Sequence, residues 1–170
     1  VGVGIFGAGS VSAIDLDGVA LTKLRADVNG VYTSELWYLI APATGGAGLI
    51  TVTLSVSLTS IAGAASWWNI NQTSPFSANA GANGTNTPAS AAVPPGSARN
   101  RVFGNLSAQT SSGITDQIRQ APHYISTGAL GTLQGSELGI IMTAVSTTVQ
   151  WDGLGALDSW AVSLASLTPL

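Results

Sequence analysis

The sequence predicts an all-β protein built as a single antiparallel β-sandwich, and three observations predict it. Apolar residues recur at every second position in several stretches, as in strands with one buried face. Turn dipeptides containing glycine separate those stretches. No segment carries the apolar spacing of a convincing amphipathic helix, and the best candidate, Thr115 to Arg119, is too short. Many short strands with Gly-rich turns point to a sandwich and not to an α/β layer fold.

The elements follow in chain order. Val11 to Leu16 alternates like a strand, and Asp17-Gly18 then suits the positive φ values of a two-residue hairpin turn. Asn29-Gly30 separates two further strand-like runs in the same way. Leu36 to Ile40 (Leu-Trp-Tyr-Leu-Ile) is apolar on both faces, so it reads as a central strand covered on both sides, or covered by a neighbour. Gly45-Gly46 marks a turn before the clearest strand of the chain. There Ile50, Val52, Leu54, Val56 and Leu58 alternate with Thr51, Thr53, Ser55 and Ser57.

Ser77 to Ser97 is rich in Ala, Gly, Asn, Ser, Thr and Pro and lacks a period, which predicts a long surface loop before strands resume at Arg101. Gln109 to Gln134 reads as a second long loop. Gly139 to Val145 is apolar on both faces, like Leu36 to Ile40. Val145, Val149 and Trp151, with Thr147 in line, predict a half-buried strand. Trp160, Val162 and Leu164, alternating with Ser159, Ala161 and Ser163, predict the last one. No internal repeat is visible. One domain over 1–170 is the natural count for this length.

Composition narrows the role. The 170 residues are 45% hydrophobic and 8% charged, with a formal net charge of -3, whereas an ordinary domain is about 25% charged. No Asp, Glu, Lys or Arg occurs from Leu36 to Ala98. The five basic residues, Lys23, Arg25, Arg99, Arg101 and Arg119, are too few for nucleic-acid binding. A disordered tail would be poor in aliphatics and rich in charge, the reverse of this chain. There is no Cys for a disulfide framework. The apolar runs are broken by Ser, Thr, Gly and Asn well short of the roughly 20 residues a membrane helix needs. No basic segment followed by an apolar stretch marks a signal peptide. The chain begins at Val1, so it is expected to be processed or an excerpt.

Motifs for chemistry are weak. Gly2-x-Gly4-x-x-Gly7 matches a dinucleotide fingerprint, but that mechanism needs a preceding strand and a following helix. A Gly-rich strand and turn is the expectation. Asp15-x-Asp17-Gly18 has two acids of a calcium loop, without the remaining ligands and with its Gly misplaced, and reads as a hairpin turn. His123 is the only histidine, and no Gly-x-Ser-x-Gly elbow accompanies it, so it reads as a loop residue. A lone His cannot form a His-based zinc site, and there is no Cys to help. The carboxylates Asp15, Asp17, Asp27, Glu35, Asp116, Glu137, Asp152 and Asp158 are scattered, with no spacing that indicates a glycosidase pair. Asn71, Asn83 and Asn105 begin glycosylation sequons that a Ser/Thr-rich chain produces by chance. No catalytic residue, metal or cofactor is expected.

The tryptophans carry more. Trp37, Trp151 and Trp160 lie on strand-like runs and are expected in the core. Trp67 and Trp68 are adjacent on a strand-like run and should point to opposite faces. The economical reading covers both, one by core and one by the long loop. An exposed member of the pair would suit sugar stacking or a protein interface.

Asp17-Gly-Val-Ala-Leu-Thr-Lys23, Glu35-Leu-Trp-Tyr-Leu-Ile-Ala-Pro42, the Gly-rich turn and Ile50-Thr-Val-Thr-Leu54 together resemble a group of bacterial and phage β-sandwich domains. Those domains occur in virion structural proteins and in large extracellular or surface proteins. Ala62-Gly-Ala-Ala-Ser-Trp67, Asn71-Gln-Thr-Ser-Pro-Phe76, Val149-Gln-Trp151 and Asp158-Ser-Trp-Ala-Val162 extend the resemblance to most of the chain outside the two predicted loops. It implies a jelly-roll-like sandwich, a further strand before Val1, and no catalytic residues. Trp68 stands where a small polar residue is usual in that group, which marks it as a contact special to this chain.

The expected fold is therefore a single antiparallel β-sandwich of jelly-roll type. The expected role is a non-enzymatic structural protein of a virion or extracellular surface, such as a capsid decoration protein or a fibre or appendage subunit. Its partners would be copies of itself or other structural proteins, not nucleic acid or a membrane interior. The alternative is a carbohydrate-binding or adhesive module, with Trp68, Phe76, Phe103 or Tyr124 as the ligand or interface contact. A surface-layer or pilus component of a cell is a third reading.

Overall fold

The computed structural model describes residues 1–43, 47–85, 87–94, 99–109, 114–116, 120–138 and 146–170. It is all-β, with fifteen strands and no helix among the described residues. The strands are β1 (Gly2–Phe6), β2 (Val11–Leu16), β3 (Val19–Ala20), β4 (Thr22–Asn29), β5 (Tyr32–Tyr38), β6 (Ile50–Leu54), β7 (Thr59–Gly63) and β8 (Phe76–Gly84). The remainder are β9 (Ala89–Val93), β10 (Arg101–Ala108), β11 (Thr115–Asp116), β12 (Gln120–Gly128), β13 (Gly131–Leu138), β14 (Thr147–Asp152) and β15 (Trp160–Leu167).

They form four antiparallel sheets. Two are inner, with orders β4-β5-β1-β7 and β12-β13-β10-β15-β8. Two are outer, with orders β3-β2-β6 and β11-β14-β9. Every strand up to Gly63 lies in the first inner sheet or the first outer one, and every strand from Phe76 onward lies in the other two.

Side-chain alternation fixes the layering. Val3, Ile5 and Trp37 of the first inner sheet pack with Val11, Ile14, Ile50, Val52 and Leu54 of its outer sheet. Val102, Leu106, Val162 and Leu164 of the second inner sheet pack with Ala89, Ala91, Val93, Val149 and Trp151 of the other outer sheet. Trp37, Trp151 and Trp160 are buried, as the sequence predicts. Strands β1, β10 and β15 are buried on both faces almost throughout, because each inner sheet is covered twice.

The seam between the inner sheets is small-residue and polar. Ser34 Oγ donates to the Asn105 carbonyl at 2.9 Å and accepts from Asn105 Nδ2 at 2.9 Å. Ser163 Oγ reaches the Ser34 carbonyl at 2.9 Å, and Tyr124 OH donates to Asn105 Oδ1 at 2.9 Å. These bonds satisfy groups whose burial would otherwise cost free energy. Gly4 on β1 allows the close approach: a Cβ there would stand 2.8 Å from Leu133 Cδ1. The glycines of the apparent nucleotide fingerprint thus serve strand packing, and β2 follows them instead of a helix.

Several expectations need correction. The stretch expected as a loop from Ser77 to Ser97 contains most of β8 and all of β9. Its alternation is carried by Ala78, Ala80, Ala82, Ala89 and Ala91, which pack on the second core. Alanine has no strong strand preference, so tertiary packing decides here. The second expected loop, Gln109 to Gln134, contains β11, β12 and the start of β13. His123 accordingly stands in a strand, at the bulge where β12 shifts register against β13 between Pro122 and Tyr124.

Other elements match in part. Asp17 (φ 51) and Gly18 (φ 83) make the expected tight turn. Asn29 ends β4, so the second turn falls on Gly30 and Val31. The run from Leu36 ends as a strand at Tyr38, and the run from Ile50 ends at Leu54, where the chain bends through Ser55 to Ser57. Gly45-Gly46, Gly139 to Val145, Pro95 and Arg119 lie outside the described residues.

Candidate functional site

A groove with a volume of about 740 Å³ opens on the surface. Its floor is the end of the inner seam: Leu36 from β5, Phe103 from β10, and Ala165 and Leu167 from β15. One wall is the chain leaving β5, from Trp37 to Pro42. The other is the connection from Ala64 to Pro75 that joins the two halves. Among the described residues, no Asp, Glu, Lys, Arg or His lines it.

The aromatic residues are ordered by edge-to-face packing. Tyr38 meets Phe76 at 4.8 Å between ring centroids, and Trp67 meets Phe103 at 4.9 Å. Gln72 ties the walls together: its Oε1 accepts from Ala41 N at 3.0 Å and its Nε2 donates to the Ile70 carbonyl at 2.7 Å. Asn71 Oδ1 accepts from the backbone N–H groups of Thr73 and Ser74, both at 2.9 Å, an Asx turn that shapes the connection.

Behind this wall lies a carboxylate anchor. Glu137 on β13 accepts from Trp67 Nε1 at 3.0 Å, pairs with Arg101 at 2.6 Å and contacts His123 Nε2 at 2.8 Å. Burial alone would raise its pKa. The bonds from Trp67, Arg101 and His123 outweigh that and hold the carboxyl below its ordinary value. Glu35 is a second buried carboxylate, paired with Lys23 at 2.9 Å and accepting from Trp37 Nε1 at 2.8 Å. Burial against these partners makes both carboxylates fastenings of strands.

Three of the four expected contact residues, Trp68, Phe76 and Phe103, line the groove, and Tyr124 packs against Phe103 at 6.1 Å between ring centroids. Trp68 is 85% exposed at the groove rim, which corrects the economical reading that both tryptophans are covered. Trp67 is half-buried and turned inward, and the pair lies in an irregular connection rather than on a strand. Phe76 lines the groove half-buried, and Phe103 is buried in its floor. Tyr124 faces the seam, where desolvation raises its phenol pKa well above the ordinary value, so it is no surface platform. The groove residues the sequence left unassigned are Tyr38, Ile40 and Gln72. The first two belong to the run read only as central strand.

Other motifs are occupied structurally. Asp15 Oδ1 accepts from Gly18 N at 3.0 Å and Asp17 Oδ1 from Leu49 N at 2.8 Å, so both acids brace turns. Asn105 is fully buried, which removes its sequon from the surface. Among the described residues, no three His, Cys, Asp or Glu side chains converge as metal ligands. None of the helices a membrane crossing would need is present among them, which says nothing about strands.

No family model, curated protein or solved structure matches this chain.

Proposed function

We propose that this chain is a structural module of an extracellular assembly, foremost a virion component such as a capsid decoration protein or a fibre subunit. The observation that carries this reading is Trp68, standing 85% exposed beside an uncharged groove in a chain with almost no charge to keep neighbours apart. Leu49, Leu157 and Leu170 are also largely exposed. Apolar surface of this kind gains free energy when a partner covers it. Neutral Ser, Thr and Asn surfaces dock without the cost of stripping water from charges.

The jelly-roll reading belongs to the same proposal. In each half the chain crosses repeatedly between an inner and an outer sheet, which supports a sandwich of jelly-roll kind. Hydrogen bonds across the polar seam favour treating 1–170 as one unit. Sedimentation of the chain over a wide concentration range, alone and with purified capsids or fibres, tests the reading. Self-association or particle binding is expected. A strict monomer that binds no particle overturns it.

The exposed indole favours a second reading, an adhesive or carbohydrate-binding module that stacks a sugar on Trp68. A shift in tryptophan fluorescence on adding polysaccharide, lost in Trp68→Ala, is its signature.

A further inference from the structure

We propose that the free edge of β6 is a self-pairing surface, on which β6 of a second copy adds antiparallel about a twofold axis through Val52. This deepens the assembly reading and rests on it. Among the described residues β6 pairs with β2 alone, so one row of its backbone donors and acceptors has no strand partner.

Among the described residues the edge is undefended. Exposed edges are normally blunted by charge, proline or a bulge. Here β4 and β8, the edges on one flank of the inner sheets, are sealed to each other. Asn29 Nδ2 donates to the Gly84 carbonyl, Asn83 Nδ2 to the Val28 carbonyl at 2.9 Å, and Arg25 to Asn79 Oδ1 at 3.0 Å. The edge β12 carries Pro122 and a bulge. The edge β7 ends in Gly63 beneath the Tyr124 ring. By contrast, β6 reads Ile-Thr-Val-Thr-Leu, with high strand preference and no charge, Pro or Gly. Leu49 (70% exposed) and Val56 (53% exposed) flank it.

The occupant is written in the strand. Ile50-Thr51-Val52-Thr53-Leu54 is nearly palindromic about Val52. Antiparallel pairing with its own copy sets Thr51 against Thr53, Ile50 against Leu54 and Val52 against Val52. Each is a favourable cross-strand pair, and none opposes like charges. Residue for residue this is an isologous contact, as a twofold dimer requires. The half-buried Ile50, Val52 and Leu54 already pack on the first core. Pairing would make that core continuous with its copy and the outer sheet six-stranded.

The chain has no cysteine, so a single introduced thiol reports the register. Val52→Cys is expected to form a disulfide-linked dimer under mild oxidation. Leu157→Cys, exposed but away from the edge, is the collision control. Thr51→Lys with Thr53→Lys, both on the exposed face, would oppose like charges in the proposed register and weaken self-association by about tenfold or more. Circular dichroism and melting of each variant report retention of the fold. Equal crosslinking at both cysteine positions, or association unchanged by the lysines, overturns the edge proposal while leaving the assembly reading in place. A chain that stays monomeric alone but binds particles also overturns the edge proposal and not that reading. If the lysine variant fails to fold, the cysteine pair alone decides.

Discussion

The indole N–H of Trp67 donates to the Glu137 carboxylate at 3.0 Å, fastening the connection between the two halves onto an inner strand 70 residues away. The adjacent Trp68 has no such anchor and stands in solvent. Their difference separates stability from contact, and the first predictions follow from it.

Trp67→Ala should cost about 2–4 kcal/mol, through lost packing on Phe103 and one lost hydrogen bond to the Glu137 carboxylate. Trp68→Ala should leave stability within about 0.5 kcal/mol, as exposed positions do, while weakening particle or partner binding. Chemical denaturation of both variants, with a binding measurement on the second, checks the contrast.

Glu137→Gln should destabilise by about 1–3 kcal/mol near neutrality, since Arg101, Trp67 and His123 all point at the lost charge. The folded carboxyl sits below its ordinary value, so the unfolded chain binds the proton more readily. The contribution is therefore fully present above the unfolded value of about 4.3 and is lost as pH falls through the lower folded value. Melting temperatures against pH should show the wild type and variant converging in acid.

Tyr124 gives the opposite limb. Its folded phenol stays protonated above the ordinary value because ionising it in the seam is unfavourable. The unfolded phenol ionises near pH 10, about its ordinary value, and from there upward stability falls. Tyr124→Phe should lose about 1 kcal/mol at neutral pH with the bond to Asn105. It should also show a shallower alkaline decline in melting temperature than the wild type.

Gly4→Val tests the close approach of the inner sheets. The new side chain would press on Leu133 and Ser107, and overpacking of that kind costs about 1–3 kcal/mol. Gly18→Ala meets open space but inherits φ +83, so its cost of about 1 kcal/mol is conformational alone. Paired denaturant melts distinguish them, since only Gly4→Val should loosen the seam and raise hydrogen exchange in β10 and β13.

The all-β class and several strands were legible because Ile50 to Leu54 and Trp160 to Leu164 alternate with residues that differ sharply in polarity. The strands β8 and β9 were hidden because their inward residues are alanines, which look like their loop-forming neighbours. The strand β13 was hidden because Gln134, Ser136 and Glu137 are polar yet buried. They are bonded or packed between sheets that the sequence does not reveal as stacked. The four layers could not be read for the same reason: doubly covered strands such as β10 lose the polar face that signals an edge of the core. Of the groove, Trp68 and Phe76 were visible as aromatics worth weighing. Tyr38, Ile40 and Gln72 join it only through long-range folding.

The neutral, apolar surface around Trp68 is proposed as docking surface in an assembly. Imaging the chain in its native setting tests that proposal most directly. The domain is expected at regularly repeated positions with Trp68 covered by a neighbouring copy or protein. Chains found only as isolated monomers, with Trp68 and the groove open to solvent, would contradict it.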